Sequence, residues 1–386
     1  FSHFSELLEK SRNEHVPRLA FTPEDPALIQ FTGGTTGIPK GAILTHGNII
    51  AATFIGVLWG NAIMNYTSFE ERSVISVIPY FHVYGNIYCI NWAMFSVATQ
   101  IIVPRFELDE FMTLLSKYDK ITYYPTVPTM VTAIAGHPKA EELKLGERIR
   151  LMSSGGAPMP LELIYKMKDM GASFSEGWGM SETCSVGVSN PILAHKVGSI
   201  GVPETDTEIK LVDIEDGVTE VKQGEPGEML VRGPSVSQGY WNYSSETAEE
   251  RTDGWLHTGD IAQMDEDGYL YIVDRKKDMI IAGGFNIYPR EIDEVLYQHP
   301  KVAECVTVGV PDTYRGETVK AFLVLKPGET CSEKEIIDFC KQKLTAYKVP
   351  KLVEFRKEVP KSAVGKILRK ILRDEEVARK TSSPTR

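Results

Sequence analysis

A chain of 386 residues, 42% apolar and 24% charged, is long enough for two or three domains and a large buried core. Its formal charge of −10 argues against general nucleic-acid binding. Five scattered cysteines without a C-x-x-C pair point to reduced, cytoplasmic thiols, and eight histidines without metal spacing predict no structural metal. The charge is uneven: residues 341–373 carry eleven Lys/Arg against two Glu, a net of +9, which leaves −19 on the remainder. A basic C-terminal region facing an acidic body suits a lid that meets phosphates, and equally a solvated face.

A strand-like run at 27–31 leads into Phe31-Thr-Gly-Gly-Thr-Thr-Gly-Ile-Pro-Lys-Gly41, which has four glycines and three threonines in eleven positions. Such a loop bends tightly and aims N–H and O–H donors inward, a cradle for polyphosphate with Lys40 as a point charge. It is not G-x-x-x-x-G-K-[ST], because Ile38 and Pro39 separate Gly37 from Lys40. A plain Gly/Thr hairpin is the competing reading. The apolar run 49–64 is too short to span a membrane and predicts a helix packed in a core, entered near Thr45.

From Ser73, strand-like runs at 74–79, 100–104, 121–125 and 149–154 alternate with helical spacing at 108–118, 128–135 and 160–170. This predicts an α/β fold, a mostly parallel sheet covered by helices, with ligands at the carboxyl ends of strands. The clusters Phe81–Gly85, Ser153–Pro158 and Glu176–Glu182 each follow such a strand. After Gly198, short strands at 208–213, 228–232 and 269–274, with Asp267-Gly268 as a hairpin turn, predict a small antiparallel subdomain. From Asp278 a small α+β unit is expected. It has helices at 289–298 and 332–344, the second opened by the capping box Ser332-Glu-Lys-Glu335, strands at 305–310, 320–325 and 352–355, and a last helix from about Lys366. Residues 381–386 read as a disordered tail.

Several residues suit nucleotide chemistry. Glu182, in Trp178-Gly179-Met180-Ser181-Glu182, would serve as a Mg²⁺ carboxylate opposite the threonine loop, or as a plain helix-start residue. Asp260 in Trp255-Leu-His-Thr-Gly-Asp260 is an acceptor-only group suited to a cis-diol, although Thr-Gly-Asp is more often a turn. Asp274-Arg-Lys-Lys-Asp278 reads as a solvated linker by charge. Lys366, placed in the first turn of a predicted helix, opposes the macrodipole by roughly 0.3–1 kcal/mol and so suggests a task. Lys361 and Lys370 are expected to be solvated.

Together these motifs, in this order, resemble the adenylate-forming superfamily of acyl-CoA synthetases, firefly luciferase and peptide-synthetase adenylation domains. The resemblance implies that Thr32, Gly33, Gly34, Thr35, Thr36, Gly37 and Lys40 bind ATP phosphates. It lays Gly155, Gly156, Ala157 and Pro158 along the adenine. Ser181 contacts phosphate, Glu182 holds Mg²⁺ with ATP, and Asp260 and Arg275 meet the ribose. Lys277 falls at the family's hinge, Gly283 and Gly284 beside the CoA tunnel, and His82 at the acyl pocket. Lys366 would neutralise charge as carboxylate attacks the α-phosphate.

The implied organisation is a large ATP- and acyl-binding domain at 1–274, a hinge at 275–278, a lid at 279–380 and the tail. Relatives carry a further N-terminal portion before the phosphate loop, so a truncated chain is expected. The implied activity is ATP- and CoA-dependent activation of a carboxylic acid. A medium- or long-chain fatty acid is favoured because the apolar segment 87–95 resembles those members. Alternatives are an aryl or cinnamate-type ligase and an inactive nucleotide-binding module. Luciferase chemistry is disfavoured by Ile281. No nucleic-acid partner or transmembrane segment is expected, and peripheral membrane contact stays open.

Overall fold

The β-rich runs that alternate with helices from Ser73 onward form one sheet in this computed structural model, which describes residues 3–12, 14–15, 19–32, 40–157, 159–242, 250–362 and 366–382. Strands precede it: β1 (Pro26–Phe31) and β2 (Gly41–Thr45) pair antiparallel, with Phe31 opposite Gly41. The expected passage from loop straight to helix is therefore corrected, since β2 intervenes. It is nearly all buried, so it lacks the polar alternation that marks a half-exposed strand. The helix His46–Met64 follows. It was expected to lie within a core, yet Ile50, Phe54 and Leu58, on one face at four-residue spacing, are about half exposed. A helix apolar on all sides gives no signal of which side is covered.

The large sheet comprises β3 (Ser73–Ser76), β4 (Thr99–Ile102), β5 (Ile121–Thr126), β6 (Ile149–Ser154), β7 (Phe174–Trp178), β8 (Val188–Ser189) and β9 (Val202–Pro203). Its order is β4-β3-β5-β6-β7-β8-β9; the first five strands are parallel and the last two turn antiparallel. Helices Leu108–Ser116, Pro128–Gly136 and Leu161–Asp169 pack Phe111, Leu115, Val131, Ile134, Ile164 and Met167 against Ile75, Ile121, Met152 and Phe174.

Antiparallel strands follow: β10 (Glu208–Val212), β11 (Gly227–Arg232), β12 (Arg251–Thr252), β13 (Trp255–Met264) and β14 (Leu270–Arg275). Asp267-Gly268 lies in the β13–β14 turn, where Gly268 adopts φ 82°. The C-terminal sheet runs β16 (Phe285–Ile287), β15 (Ile280–Ala282), β18 (Gly316–Leu325), β17 (Val302–Asp312), with β19 (Leu352–Phe355) parallel to β18. Ser332 Oγ accepts the Glu335 N–H at 3.2 Å, while the Glu335 carboxylate turns to Lys301 at 2.9 Å, so half of the expected capping box forms.

The final helix runs Arg369–Ser382, not from Lys366. Before it, Ser362 N–H donates to the Lys366 carbonyl at 2.8 Å and Lys361 bridges Ile367, which keeps this stretch out of the helix. Leu372 is fully buried, but Ile371 is 42% exposed, so the single apolar face expected from 367 to 372 does not form. Lys361 is exposed and paired with Glu304 at 2.6 Å, whereas Lys370, expected in solvent, is partly buried. Thr381 and Ser382, expected in the disordered tail, belong to the helix, and 383–386 lie outside the described residues.

Candidate functional site

Strands β5, β6 and β7 line one cleft that opens to solvent. Its walls come from Gly56, Gly60, Tyr84, Tyr88, Trp92 and Tyr123 and from the glycine-rich turns after β6 and β7. The helix carrying Tyr84 to Trp92 widens to π geometry at Gly85–Asn91, a form common where a helix shapes a site. Gly85 is obligatory there, because a Cβ would lie 2.4 Å from the Pro79 carbonyl oxygen. At the cleft floor, the Tyr84 and Tyr123 hydroxyls meet Ser153 Oγ at 2.9 and 2.6 Å. Burial raises both phenol pKa values, so these hydroxyls stay neutral.

Of the threonine loop, Thr32 and Lys40 are described; Gly33, Gly34, Thr35, Thr36 and Gly37 lie outside the described residues, as does Pro158. Thr32 N–H donates to the Lys40 carbonyl at 2.8 Å and closes the neck of the loop between β1 and β2. Hairpin and cradle are thus compatible, since the loop is the connection of an antiparallel pair. Gly155 and Gly156 follow β6; a Cβ on Gly155 would stand 3.6 Å from the Tyr84 ring, and Gly156 adopts φ 78°, with Ala157 next.

After β7 the chain turns sharply. A Cβ on Gly179 would stand 2.4 Å from the Ser185 carbonyl carbon. Cys184 and Ser185 hold φ of 52° and 66°, a strained pair of a kind that clusters at functional sites. The 3-10 turn Ser181–Thr183 buries Glu182. Tyr240 O–H lies 2.6 Å from Glu182 Oε1 and 2.6 Å from Glu250 Oε2, and Lys40 Nζ meets Glu250 Oε1 at 2.8 Å. One phenolic proton cannot serve two ionised carboxylates. Burial accordingly raises the Glu182 pKa, against the Tyr240 hydrogen bond that lowers it. A hydrated Mg²⁺ on Glu182 fits this environment, because a cation offsets the repulsion that the Glu250 charge exerts on that carboxylate.

Tyr240 and Glu250 were missed in the sequence. No spacing marks them; segment 238–241 reaches the site by pairing with β2, as in the bond from Trp241 N–H to the Gly41 carbonyl at 2.8 Å.

On the facing wall, Asp260 on β13 accepts from Trp178 Nε1 at 2.7 Å and pairs with Arg275 Nε at 3.1 Å. These three residues come from separate sequence motifs and meet here. Lys366, in the C-terminal unit, lies within electrostatic reach of Arg275 and Asp260. Burial and then the Arg275 charge push its ammonium pKa down to about 8, with Asp260 opposing. His82 has its pKa lowered by burial and by Lys366, which puts that lysine in electrostatic reach of the cleft mouth. Its Nδ1 accepts the Tyr84 N–H at 3.2 Å, so the imidazole is held in place locally.

At the junction, Lys276 N–H donates to the Gly259 carbonyl at 2.8 Å and its Nζ meets Glu228 at 2.8 Å, while the Lys277 carbonyl accepts from Arg373 at 2.7 Å. Gly283 and Gly284, both at positive φ, form the two-residue turn between β15 and β16; that geometry by itself calls for glycine. Among the described residues, one group of potential metal ligands gathers within 4.8 Å: His299, Cys331 and Glu335. Glu335 there already pairs with Lys301, and His299 Nδ1 accepts the Lys301 N–H.

Residues 2–241 match the family model described as AMP-binding enzyme, and residues 291–366 match the AMP-binding enzyme C-terminal domain. The chain is 43% identical over 376 residues to a long-chain-fatty-acid–CoA ligase of Bacillus subtilis (strain 168), covering 97% of this chain and 66% of the relative. A feruloyl-CoA synthase of Amycolatopsis sp. is 37% identical over 360 residues, 92% of this chain and 71% of the relative. The chain therefore spans less than two-thirds of the length of the first of these relatives. ATP-bound MatB from Rhodopseudomonas palustris superposes with a TM-score of 0.87 at 31% identity, covering 96% of this chain and 72% of that one. Apo MatB, at the same coverage and 31% identity, gives 0.73. With two family models matched in order, the first over more than half of its length, the chain belongs to the AMP-binding enzyme family.

Proposed function

We propose that this chain carries the ATP- and acid-binding apparatus of an AMP-forming acid–CoA ligase, with a body at 1–274, a hinge at 275–278 and a lid at 279–380. In the first half-reaction, a substrate carboxylate oxygen attacks the α-phosphorus of ATP and pyrophosphate leaves, giving acyl-AMP. In the second, the thiol sulfur of CoA attacks the acyl carbonyl and AMP leaves.

The observation that carries this reading is the meeting of Trp178, Asp260 and Arg275 from separate motifs, with Lys366 of the C-terminal unit in electrostatic reach of the last two. An ammonium near the ribose-side residues is placed to offset charge as the carboxylate adds. Asp260, fixed by Trp178 and Arg275, presents an acceptor to the ribose hydroxyls. The threonine loop and Lys40 grip the outer phosphates, and the glycine turn 155–158 admits a flat base. Glu182 would hold Mg²⁺, which supplies charge neutralisation at the phosphates when bound. The protein's contribution is positioning and preorganised charge, since displacement at phosphorus leaves it little covalent work. Gly283 and Gly284 would come beside CoA after the lid turns.

For the acid, a medium- or long-chain fatty acid is favoured by the apolar cleft and by the long-chain relative. An aryl acid is the second reading. The aromatic walls at Tyr84, Tyr88, Trp92 and Tyr123 suit a ring, and one relative is a feruloyl-CoA synthase. Cys89, Cys184, Cys305, Cys331 and Cys340 are all free thiols, which supports a reducing, cytoplasmic setting. Among the described residues, no helix is long and apolar enough to cross a membrane.

The test is acid-dependent ATP–pyrophosphate exchange with a panel of alkyl and aryl acids. Exchange that requires an acid supports the ligase, and the acid that drives it fastest names the class. A thermal shift with an acyl-AMP analogue but no exchange with any acid would leave a nucleotide-binding module instead.

A further inference from the structure

The sequence Arg275-Lys276-Lys277-Asp278 passes from one β-sheet unit to the other in a tight turn, and the two units grip it on opposite sides of one residue. Lys276 belongs to the antiparallel sheet. Its N–H donates to the Gly259 carbonyl on β13 and its ammonium pairs with Glu228 on β11, each at 2.8 Å. Asp278, only 6% exposed, belongs to the C-terminal unit, where the Arg373 guanidinium stands 2.9 Å from its Oδ1. No hydrogen is aimed along that line, so the attraction is ionic rather than a directed bond. The directed bond from Arg373 goes to the Lys277 carbonyl at 2.7 Å.

We infer that Arg373 is a positioning residue: its bond to the Lys277 carbonyl makes the peptide after the proposed hinge residue part of the C-terminal unit and so holds Lys366 in register with that unit.

The geometry follows from the backbone. Rotation about N–Cα or Cα–C of Lys277 moves its own carbonyl together with everything downstream. The Arg373 bond therefore travels with the swing and survives it, while the bonds of Lys276 stay behind. Between the two grips there remain one φ and one ψ. The contacts that a swing must exchange include those of Asp278 N–H and Met279 N–H to the Arg275 carbonyl, of Arg290 N–H to Asp274 Oδ2, and of the Arg290 guanidinium to the Ile272 carbonyl.

Arg373 is tied to the catalytic side by its own helix, Arg369–Ser382. Leu372 anchors that helix, fully buried with Val306, Val308 and Phe322 of the C-terminal sheet. Lys366 stands three residues before the helix begins. Ile367, next to Lys366, packs against the same cluster as Leu372, so the pivot peptide and the lysine are tied to one core, and loss of the Arg373 bond adds freedom at the pivot that becomes displacement at Lys366. The catalytic consequence rests on the ligase reading above; the mechanical one does not.

The experiment compares Arg373→Met and Arg373→Lys with the unaltered full chain. For Arg373→Met, the maximal rate of acid-dependent ATP–pyrophosphate exchange should fall at least ~10-fold with the KM for ATP changed less than ~2-fold, because misplacement penalises the aligned step. Thioester formation from supplied acyl-adenylate and CoA, which does not use Lys366, should fall less than ~3-fold. Arg373→Lys keeps one donor and the charge, and should recover part of the exchange rate. Amide hydrogen exchange supplies a readout independent of activity: Asp278 and Met279 should exchange faster in Arg373→Met, with Lys276 unchanged.

Wild-type exchange rates in Arg373→Met would overturn the inference. So would equal loss of both half-reactions without faster exchange at Asp278 and Met279. If Arg373→Met does not fold, Arg373→Lys decides: unaltered amide exchange and half-reaction ratio would sink the proposal. If the unaltered chain activates no acid, the ligase reading fails, and the hinge assignment stands or falls on amide exchange alone.

Discussion

Trp178 and Asp260 are 82 residues apart in the chain and joined by a 2.7 Å hydrogen bond from indole Nε1 to carboxylate Oδ2. The bond ties the end of β7 to β13, so the large sheet and the antiparallel sheet meet at the carboxylate proposed for the ribose. Its partner on the other oxygen is Arg275, at 3.1 Å. Trp178→Phe keeps the ring and removes the donor. Because a hydrogen bond to a charged group contributes about 1.5–3 kcal/mol, the KM for ATP should rise roughly tenfold. Steady-state exchange kinetics check this, and an unchanged KM would mean that Asp260 is aimed by Arg275 and the β13 backbone alone.

Lys366 should impose a basic limb on the rate. Its pKa in the free protein is pushed down to about 8 by burial and Arg275, and the charged form is the one that offsets phosphate charge. The value of kcat/KM for ATP should therefore hold below about pH 8 and fall above it. Arginine cannot lose its proton in this range, so any residual activity of Lys366→Arg should lack that limb. Lys366→Ala should lose adenylate formation and still convert supplied acyl-AMP and CoA to thioester; equal loss of both steps would refute the division of labour.

The same lysine should cost stability. Its folded pKa lies below the ordinary 10.5, so between pH 8 and 10.5 the unfolded chain binds more protons than the folded one. Stability then rises with pH across that window, and the cost is fully present below pH 8. Lys366→Met should raise stability at pH 7 by about 1–3 kcal/mol, the gain shrinking toward pH 10.5. Thermal unfolding at the two pH values measures it.

Gly179→Ala should destabilise the fold and the site together. The added Cβ would meet the Ser185 carbonyl carbon at 2.4 Å, and this backbone is already held at positive φ on two non-glycine residues. A shift forced into a packed turn costs roughly 1–3 kcal/mol. A melting temperature equal to that of the parent protein would show that segment 184–186 can yield.

Glu250→Gln should tighten ATP binding. The Glu250 carboxylate neutralises Lys40 at 2.8 Å and adds negative charge where phosphates are proposed to sit. The pair is partly exposed, so the effect is modest: a fall in the KM for ATP of about two- to fivefold, weaker at high salt. A higher KM in the variant would instead make Glu250 the residue that holds Lys40 in place.

Local chemistry determined much of this protein before any coordinates. β-rich runs closed by Pro or Ser marked β5 and β6 almost to the residue, and Asp267-Gly268 marked its hairpin, because turn and strand preferences act over a few neighbouring residues. The motif order likewise indicated a nucleotide cleft at the carboxyl ends of strands. Only the tertiary structure decided what depends on partners distant in sequence. β2 becomes a strand because β1 and segment 238–241 supply its hydrogen bonds. Lys366 stays out of the last helix because Ser362 takes its carbonyl. Tyr240, Glu250 and Arg373 have no neighbouring residues that reveal their positions, since each meets its partner across a fold closed by burial. Periodicity records which residues seek burial, but not which surfaces bury them.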